Sequence, residues 1–169
     1  MARLIVMAGL PGVGKSAIAR EVAARTGAVW LRVDSMDQAI WNSGTAPEDL
    51  RDWTYRAGQA VAADNLRLGV DVVADCVNDV GEARAGWAAA GEAAGAEVAF
   101  VEVVCGDPAE HRGRLETRVG DVPGLKLPDW AAVEGRGYQD WDRPRIVVDT
   151  AGRGVAACVE AVLQALHPG

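Results

Sequence analysis

The sequence predicts an α/β fold built on a five-stranded parallel sheet with helices on both faces. Short apolar runs alternate with helical stretches, a glycine-rich turn follows the first run directly, and 169 residues suit a single domain spanning 1–169. Leu4-Ile5-Val6-Met7-Ala8 is continuously apolar, as expected of a strand buried on both sides, and it stops at Gly9. From Lys15 to Arg25 the pattern is helical, with Ile18, Ala19 and Val22 on one face and Thr26-Gly27 closing it. Val29 to Val33 is a second strand that ends at Asp34.

A long amphipathic helix is predicted from Pro47 to Leu68, with Leu50, Trp53, Ala57, Ala60 and Val61 at spacings of three and four and Gly69 beyond its end. Val70 to Ala74 reads as a third strand ending at Asp75, Glu82 to Ala94 as an alanine-rich helix, and Glu97 to Val104 as a fourth strand. Pro108 to Arg118 is a charged helix, and Gly120 to Tyr138 is irregular and rich in Pro, Gly and Trp, the natural place for a mobile cover. Arg145 to Val148 forms a fifth strand and Val155 to Leu166 a closing helix. Right-handed crossovers put the helices on both faces, and ligands in such sheets collect at the carboxyl ends of the strands.

With 50% hydrophobic and 24% charged residues, the chain is not a disordered one. A net charge of -7 argues against non-specific binding to nucleic acid, whose affinity comes mainly from Lys and Arg. Cys76, Cys105 and Cys158 form no CxxC pair and sit in apolar runs, so reduced buried thiols and a cytoplasmic setting are expected. Met1 to Ala8 is too short and too weakly charged for a signal peptide or membrane span.

The strongest motif is Gly9-Leu10-Pro11-Gly12-Val13-Gly14-Lys15-Ser16, which matches GxxxxGK[ST] between a predicted strand and a predicted helix. Its glycines let backbone N–H groups turn inward on a phosphate, and the helix N-terminus at Lys15, Ser16 and Ala17 adds its positive end. Lys15 can then reach the β- and γ-phosphates of ATP, and Ser16 is the expected Mg²⁺ ligand.

On this motif the chain resembles the small P-loop kinases, the group that includes chloramphenicol phosphotransferase, gluconate kinase, adenylylsulfate kinase and the polynucleotide 5′-kinases. The resemblance implies a P-loop NTPase fold with a small lid, here about 110–138, and transfer of the ATP γ-phosphoryl to a hydroxyl of a small-molecule acceptor. In that group the second strand ends in an aspartate facing the acceptor, which Asp34 matches; it serves either as the base or as a helix cap before Ser35. Asp37 is a candidate helper. Asp75 stands where this class holds Mg²⁺ through an acid, unless it caps the next helix, and Asn78 and Asp79 are candidate acceptor contacts. Asp149 rivals it by pattern, although its late position implies instead that Asp149 to Arg153, with Gly152, borders the adenine.

Arg114 and Arg118 resemble the lid arginines of the group, one helical turn apart and free to swing over the triphosphate; the alternative is a solvated face paired with Glu110 and Glu116. Trp130 and Trp141 lie in or near the irregular segment and are candidates to wall an acceptor pocket or to fill the core. His111 and His167 form no metal set or triad. Met36 to Gly44 carries no arginine, where similar kinases often grip an anionic acceptor, and this favours a neutral or cationic one. A kinase of nucleic-acid ends or of proteins, and a nucleotide-responsive regulator with little turnover, are the other readings the motif permits.

Overall fold

The computed structural model describes residues 1–44 and 52–167. Its strands are β1 (Arg3–Ala8), β2 (Val29–Arg32), β3 (Val72–Asp75), β4 (Glu97–Val104) and β5 (Ile146–Asp149). They form one parallel sheet in the order β2-β3-β1-β4-β5. The helices are α1 (Lys15–Thr26), α2 (Val33–Asn42), α3 (Trp53–Arg67), α4 (Gly81–Ala93), α5 (Pro108–Thr117), α6 (Trp130–Glu134) and α7 (Val155–Leu166).

Side chains alternate across a strand, so an apolar run fills two cores at once. Ile5 and Met7 of β1 join Val73, Val101 and Val103 beneath α1 and α7, which contribute Ile18, Val22, Val159 and Val162. Leu4 and Val6 face the opposite way, with Val72, Ala74 and Phe100, against Ala62 and Leu66 of α3 and Trp87 of α4. That accounts for the three-layer architecture the sequence predicts.

Several boundaries differ from expectation. β2 stops at Arg32, and Val33 opens α2, a helix that the sequence reading did not anticipate. Within its ten residues only Val33 and Gln38 are buried, so its apolar stripe is too thin to read. The predicted helix from Pro47 begins at Trp53 among the described residues, and positions 47–51 lie outside them. β3 starts at Val72 and takes in Asp75, while α5 ends at Thr117, leaving Arg118 extended. The segment expected to be irregular contains the short α6, capped by Asp129, which accepts from the Ala132 N–H at 2.8 Å. All three cysteines are free thiols, Cys76 and Cys158 buried and Cys105 half-buried. Among the described residues no helix is long and apolar enough to cross a membrane.

The loop after β3 is fastened to the segment before β5 by Arg84 of α4, which is fully buried. Its guanidinium donates to the carbonyls of Asn78, Asp79, Gln139 and Asp140 at 2.8 to 3.2 Å. Its carbon lies 4.1 Å from the Trp141 ring centroid. Trp141 is thus a packing residue of this clamp. Truncation would leave four carbonyls without that donor, so Arg84→Met should lower the unfolding free energy in urea by about 3 kcal/mol or more. A loss below about 1 kcal/mol would contradict the clamp.

Candidate active site

The turn between β1 and α1 fits only because two positions lack a side chain. Gly9 has φ +142°, and a Cβ there would lie 2.3 Å from the Val103 carbonyl oxygen. Gly12 has φ +91° and faces Leu115 of α5, whose nearest atom would lie 3.0 Å from an added Cβ. The loop is held from outside as well: Gly9 N–H donates to the Val77 carbonyl at 3.0 Å, and His111 Nε2 lies 2.8 Å from the Pro11 carbonyl, which can only accept. Leu10, Pro11, Gly12, Gly14, Lys15, Ser16 and Ala17 line one end of a cavity of about 860 Å³. Gly9 and Val13 do not; the Val13 side chain is in the core and its carbonyl accepts from Thr150 Oγ1 at 3.0 Å. They shape the loop from behind.

Behind the cavity-lining residues Lys15, Ser16 and Arg32 lies Asp75, 1% exposed at the end of β3. Parallel pairing sets it opposite Met7 of β1 and Arg32 of β2. Its Oδ1 accepts from Lys15 Nζ at 2.6 Å and from Ser16 Oγ at 3.2 Å. Its Oδ2 accepts from Trp30 Nε1 at 3.3 Å and lies 3.8 Å from Arg32 Nε. The Ser16 hydroxyl lines the cavity and the Asp75 carboxylate stands directly behind it, two hard oxygen donors of the kind Mg²⁺ takes, completing its shell with phosphate oxygens and water. Asp149 has no part in this arrangement. Its Oδ1 accepts from the Gly106 and Ala151 N–H groups, both at 2.9 Å, and these bonds hold its pKa below the usual carboxylate value.

Helix α2 presents Asp34, Asp37 and Trp41 to the cavity, one turn apart. Asp34 is half-buried in the first turn, where the helix dipole favours its charge, and it makes no hydrogen bond or ion pair among the described residues. It does not cap the helix: Arg32 occupies the cap position, and no side chain bonds the first turn. Burial pushes the Asp37 carboxyl above its ordinary value, and the Asp34 charge adds to this.

The two lid arginines part company. Arg114 donates to Thr150 Oγ1 and Thr150 O, both at 2.8 Å, and to Glu110 at 2.5 Å. Arg118, just past the helix end, turns into the cavity with its Nε buried and without a hydrogen-bond partner. Burial lowers its pKa, opposed by the Asp34 charge. Both line the cavity, but Arg114 is held by Thr150 and Glu110 while Arg118 has left the helix, so they do not share the one helical face expected.

Other expected contacts fail too. Asn78 is fully buried at φ +51° and donates to the Met7 carbonyl at 2.7 Å, so it fastens the loop rather than facing an acceptor. Asp79 is paired with Arg136 at 2.5 Å. Trp130 meets the His111 ring edge-on, centroids 5.1 Å apart, and does not line the cavity. Gly152 N–H donates to Glu110 Oε2 at 2.9 Å, and Arg153 donates to the Asp149 and Ala157 carbonyls at 3.2 and 3.1 Å; both stand outside the cavity lining. The residues missed in the sequence are Arg32, Trp41, Tyr55 and Asp121. Recognising α2 would have exposed Trp41, through its spacing from Asp34 and Asp37.

The raised Asp37 pKa fixes a sign. Its folded form holds the proton more tightly than the unfolded chain, so its contribution is most favourable below the ordinary value of 3.8 and is lost as pH rises through the folded pKa. Asp37→Asn should raise the melting temperature near neutral pH, with the gain shrinking toward about pH 4. A pH-independent effect measured by thermal denaturation would contradict this.

An AAA domain family model matches residues 4–132, more than half of the chain. No curated protein sequence matches it. Among solved structures, a gluconokinase from Sinorhizobium meliloti is 19% identical with a TM-score of 0.68, covering 96% of this chain and 90% of its own. The APS kinase of Mycobacterium tuberculosis, in complex with AMPPNP and APS, is 18% identical with a TM-score of 0.70, covering 98% and 97%. Kti12 of Chaetomium thermophilum, in complex with ADP-AlF3, is 17% identical with a TM-score of 0.62, covering 97% and 99%. The chain belongs to this AAA domain family, and its fold is that of the small P-loop kinases.

Proposed function

We propose that the protein is an ATP-dependent phosphotransferase that moves the γ-phosphoryl of Mg·ATP to a hydroxyl of a small-molecule acceptor. The observation that carries this reading is the shared cavity: the phosphate loop with Lys15 and Ser16 at one end, and the unpaired carboxylate of Asp34 at the other. A carboxylate in that cavity without a hydrogen-bond or ion-pair partner among the described residues is free to accept from an acceptor hydroxyl, which nucleotide binding alone does not require.

The loop N–H groups at the α1 terminus and Lys15 Nζ hold the β- and γ-phosphates. Ser16 Oγ and the Asp75 carboxylate would hold Mg²⁺, and the chemistry supplied there would be neutralisation of phosphate charge. Asp34 orients the acceptor hydroxyl and takes its proton as the hydroxyl oxygen bonds to phosphorus and the bond to the ADP oxygen breaks. Arg118, whose Nε is buried and unpartnered, faces the charge that spreads over the transferred group. Asp37, Trp41 and Tyr55 form the acceptor's surroundings, and a volume of about 860 Å³ leaves room for a small molecule beside a nucleotide.

ADP release from Mg·ATP should rise when the right acceptor is supplied from pools of sugars, nucleosides, aminoglycosides or short RNA. Asp34→Asn should lower turnover by about a hundred- to ten-thousandfold with ATP affinity retained, whereas Lys15→Ala should lose both. Equal and slow release by wild type and Asp34→Asn with every pool, while ATP still binds, would favour a nucleotide-responsive regulator instead.

A further inference from the structure

We propose that Arg32 is a γ-phosphate-binding residue and that Asp121, on the lid segment, competes with the phosphate for it; this rests on the reading that the loop at 9–16 holds Mg·ATP. Arg32 ends β2 directly beside Asp75 in the sheet register. Lys15 Nζ sits 2.6 Å from one oxygen of that carboxylate, and Arg32 Nε sits 3.8 Å from the other. The two cations thus flank one carboxylate, and a phosphoryl group gripped by Lys15 comes within reach of the guanidinium.

The side chain is prepared for such a partner. It is 11% exposed, lines the cavity, and its Nε is buried with no hydrogen-bond partner. The guanidinium carbon lies 5.6 Å from the Trp30 ring centroid, so an aromatic neighbour helps to hold it. Its two terminal nitrogens donate to Asp121 Oδ2 and Oδ1 at 2.8 and 2.9 Å, the two-pronged geometry that a phosphate also satisfies. Burial works against the charge of Arg32, but the bond to Asp121 and the nearby Asp75 and Asp34 charges outweigh it.

Asp121 is the exchangeable half. Its side chain is 62% exposed and lies between α5 and α6, outside any helix or strand, whereas the Arg32 backbone is fixed in the sheet. A pair with one partner so exposed is weak, and a γ-phosphoryl group carries more charge than a carboxylate, so it displaces Asp121. The sequence from Met36 to Gly44 has no arginine, and the strand end just before it supplies one.

The test is the affinity of Mg·AMPPNP and of Mg·ADP, measured by titration calorimetry for wild type, Arg32→Gln, Arg32→Lys and Asp121→Asn. Arg32→Gln should weaken AMPPNP about tenfold or more and ADP less than about twofold, because only AMPPNP has the third phosphoryl. Arg32→Lys should restore part of the loss, and Asp121→Asn should tighten AMPPNP alone. Equal weakening of both nucleotides by Arg32→Gln, or no weakening, overturns the proposal, as does an Asp121→Asn variant that leaves AMPPNP unchanged or weaker. Should Arg32→Gln not fold, Asp121→Asn decides, since its side chain is largely exposed. A nucleotide contrast seen without stimulation by any acceptor retains this inference and removes the kinase reading; failure of wild type to bind either nucleotide removes both.

Discussion

Burying a carboxylate at the end of a central strand costs several kcal/mol unless its charge is met and both oxygens are bonded. Asp75 is met on both sides. Lys15 and Ser16 bond one oxygen, while Trp30 bonds the other with Arg32 alongside, and these four come from α1, β2 and its end. That convergence requires β3 to lie between β1 and β2, and the strand order β2-β3-β1 provides it. The glycine-rich loop, the Ser16–Asp75 contact and the basic end of β2 are therefore one electrostatic unit rather than three motifs. If Asp75 were lost, Lys15 would be left buried without its counter-charge, and the loop would lose the anchor of its first helical turn.

Around this unit one side of the site is held by close backbone packing and the other by side-chain pairs. The loop is packed between Val103, Leu115 and His111, and glycine at two positions removes a Cβ that would lie 2.3 Å from the Val103 carbonyl oxygen and 3.0 Å from Leu115. Facing it, α2 and the segment between α5 and α6 line the rest of the cavity, joined to the sheet by the Arg32–Asp121 pair. Behind the lid, Arg84 and the Arg136–Asp79 pair tie the returning chain to the loop after β3.

The sequence was most legible where a single physical cause acts alone. Buried parallel strands need uninterrupted apolar runs, so β1 and β4 were readable almost to the residue, and the GxxxxGK[ST] turn carries its own geometry. Asp34 and Asp37 line the cavity just beyond the end of β2, and Asp75 ends β3 behind it, so the runs of the strands were a guide to all three. Misreadings arose where tertiary contacts decide. α2 buries little, so periodicity could not reveal it. Arg114 and Arg118 share a helical spacing, but the helix ends between them, and Thr150, distant in sequence, claims the first. Asn78 looked like a polar loop residue, yet its left-handed backbone and its bond to the Met7 carbonyl make it a fastener. Arg32 was passed over as the last residue of an ordinary strand, since only sheet register shows that it lies opposite Asp75.

The central claim is that phosphoryl transfer to a small hydroxylated acceptor occurs in this cavity. The most direct measurement follows the γ-phosphorus itself: ATP labelled at that position is incubated with Mg²⁺, the protein and a fractionated small-molecule extract, and the label is traced by mass spectrometry and ³¹P NMR. The account predicts that label appears in a new phosphate ester of one acceptor, and that this product vanishes with Asp34→Asn. Label found only in ATP or in inorganic phosphate, with every fraction, would contradict it.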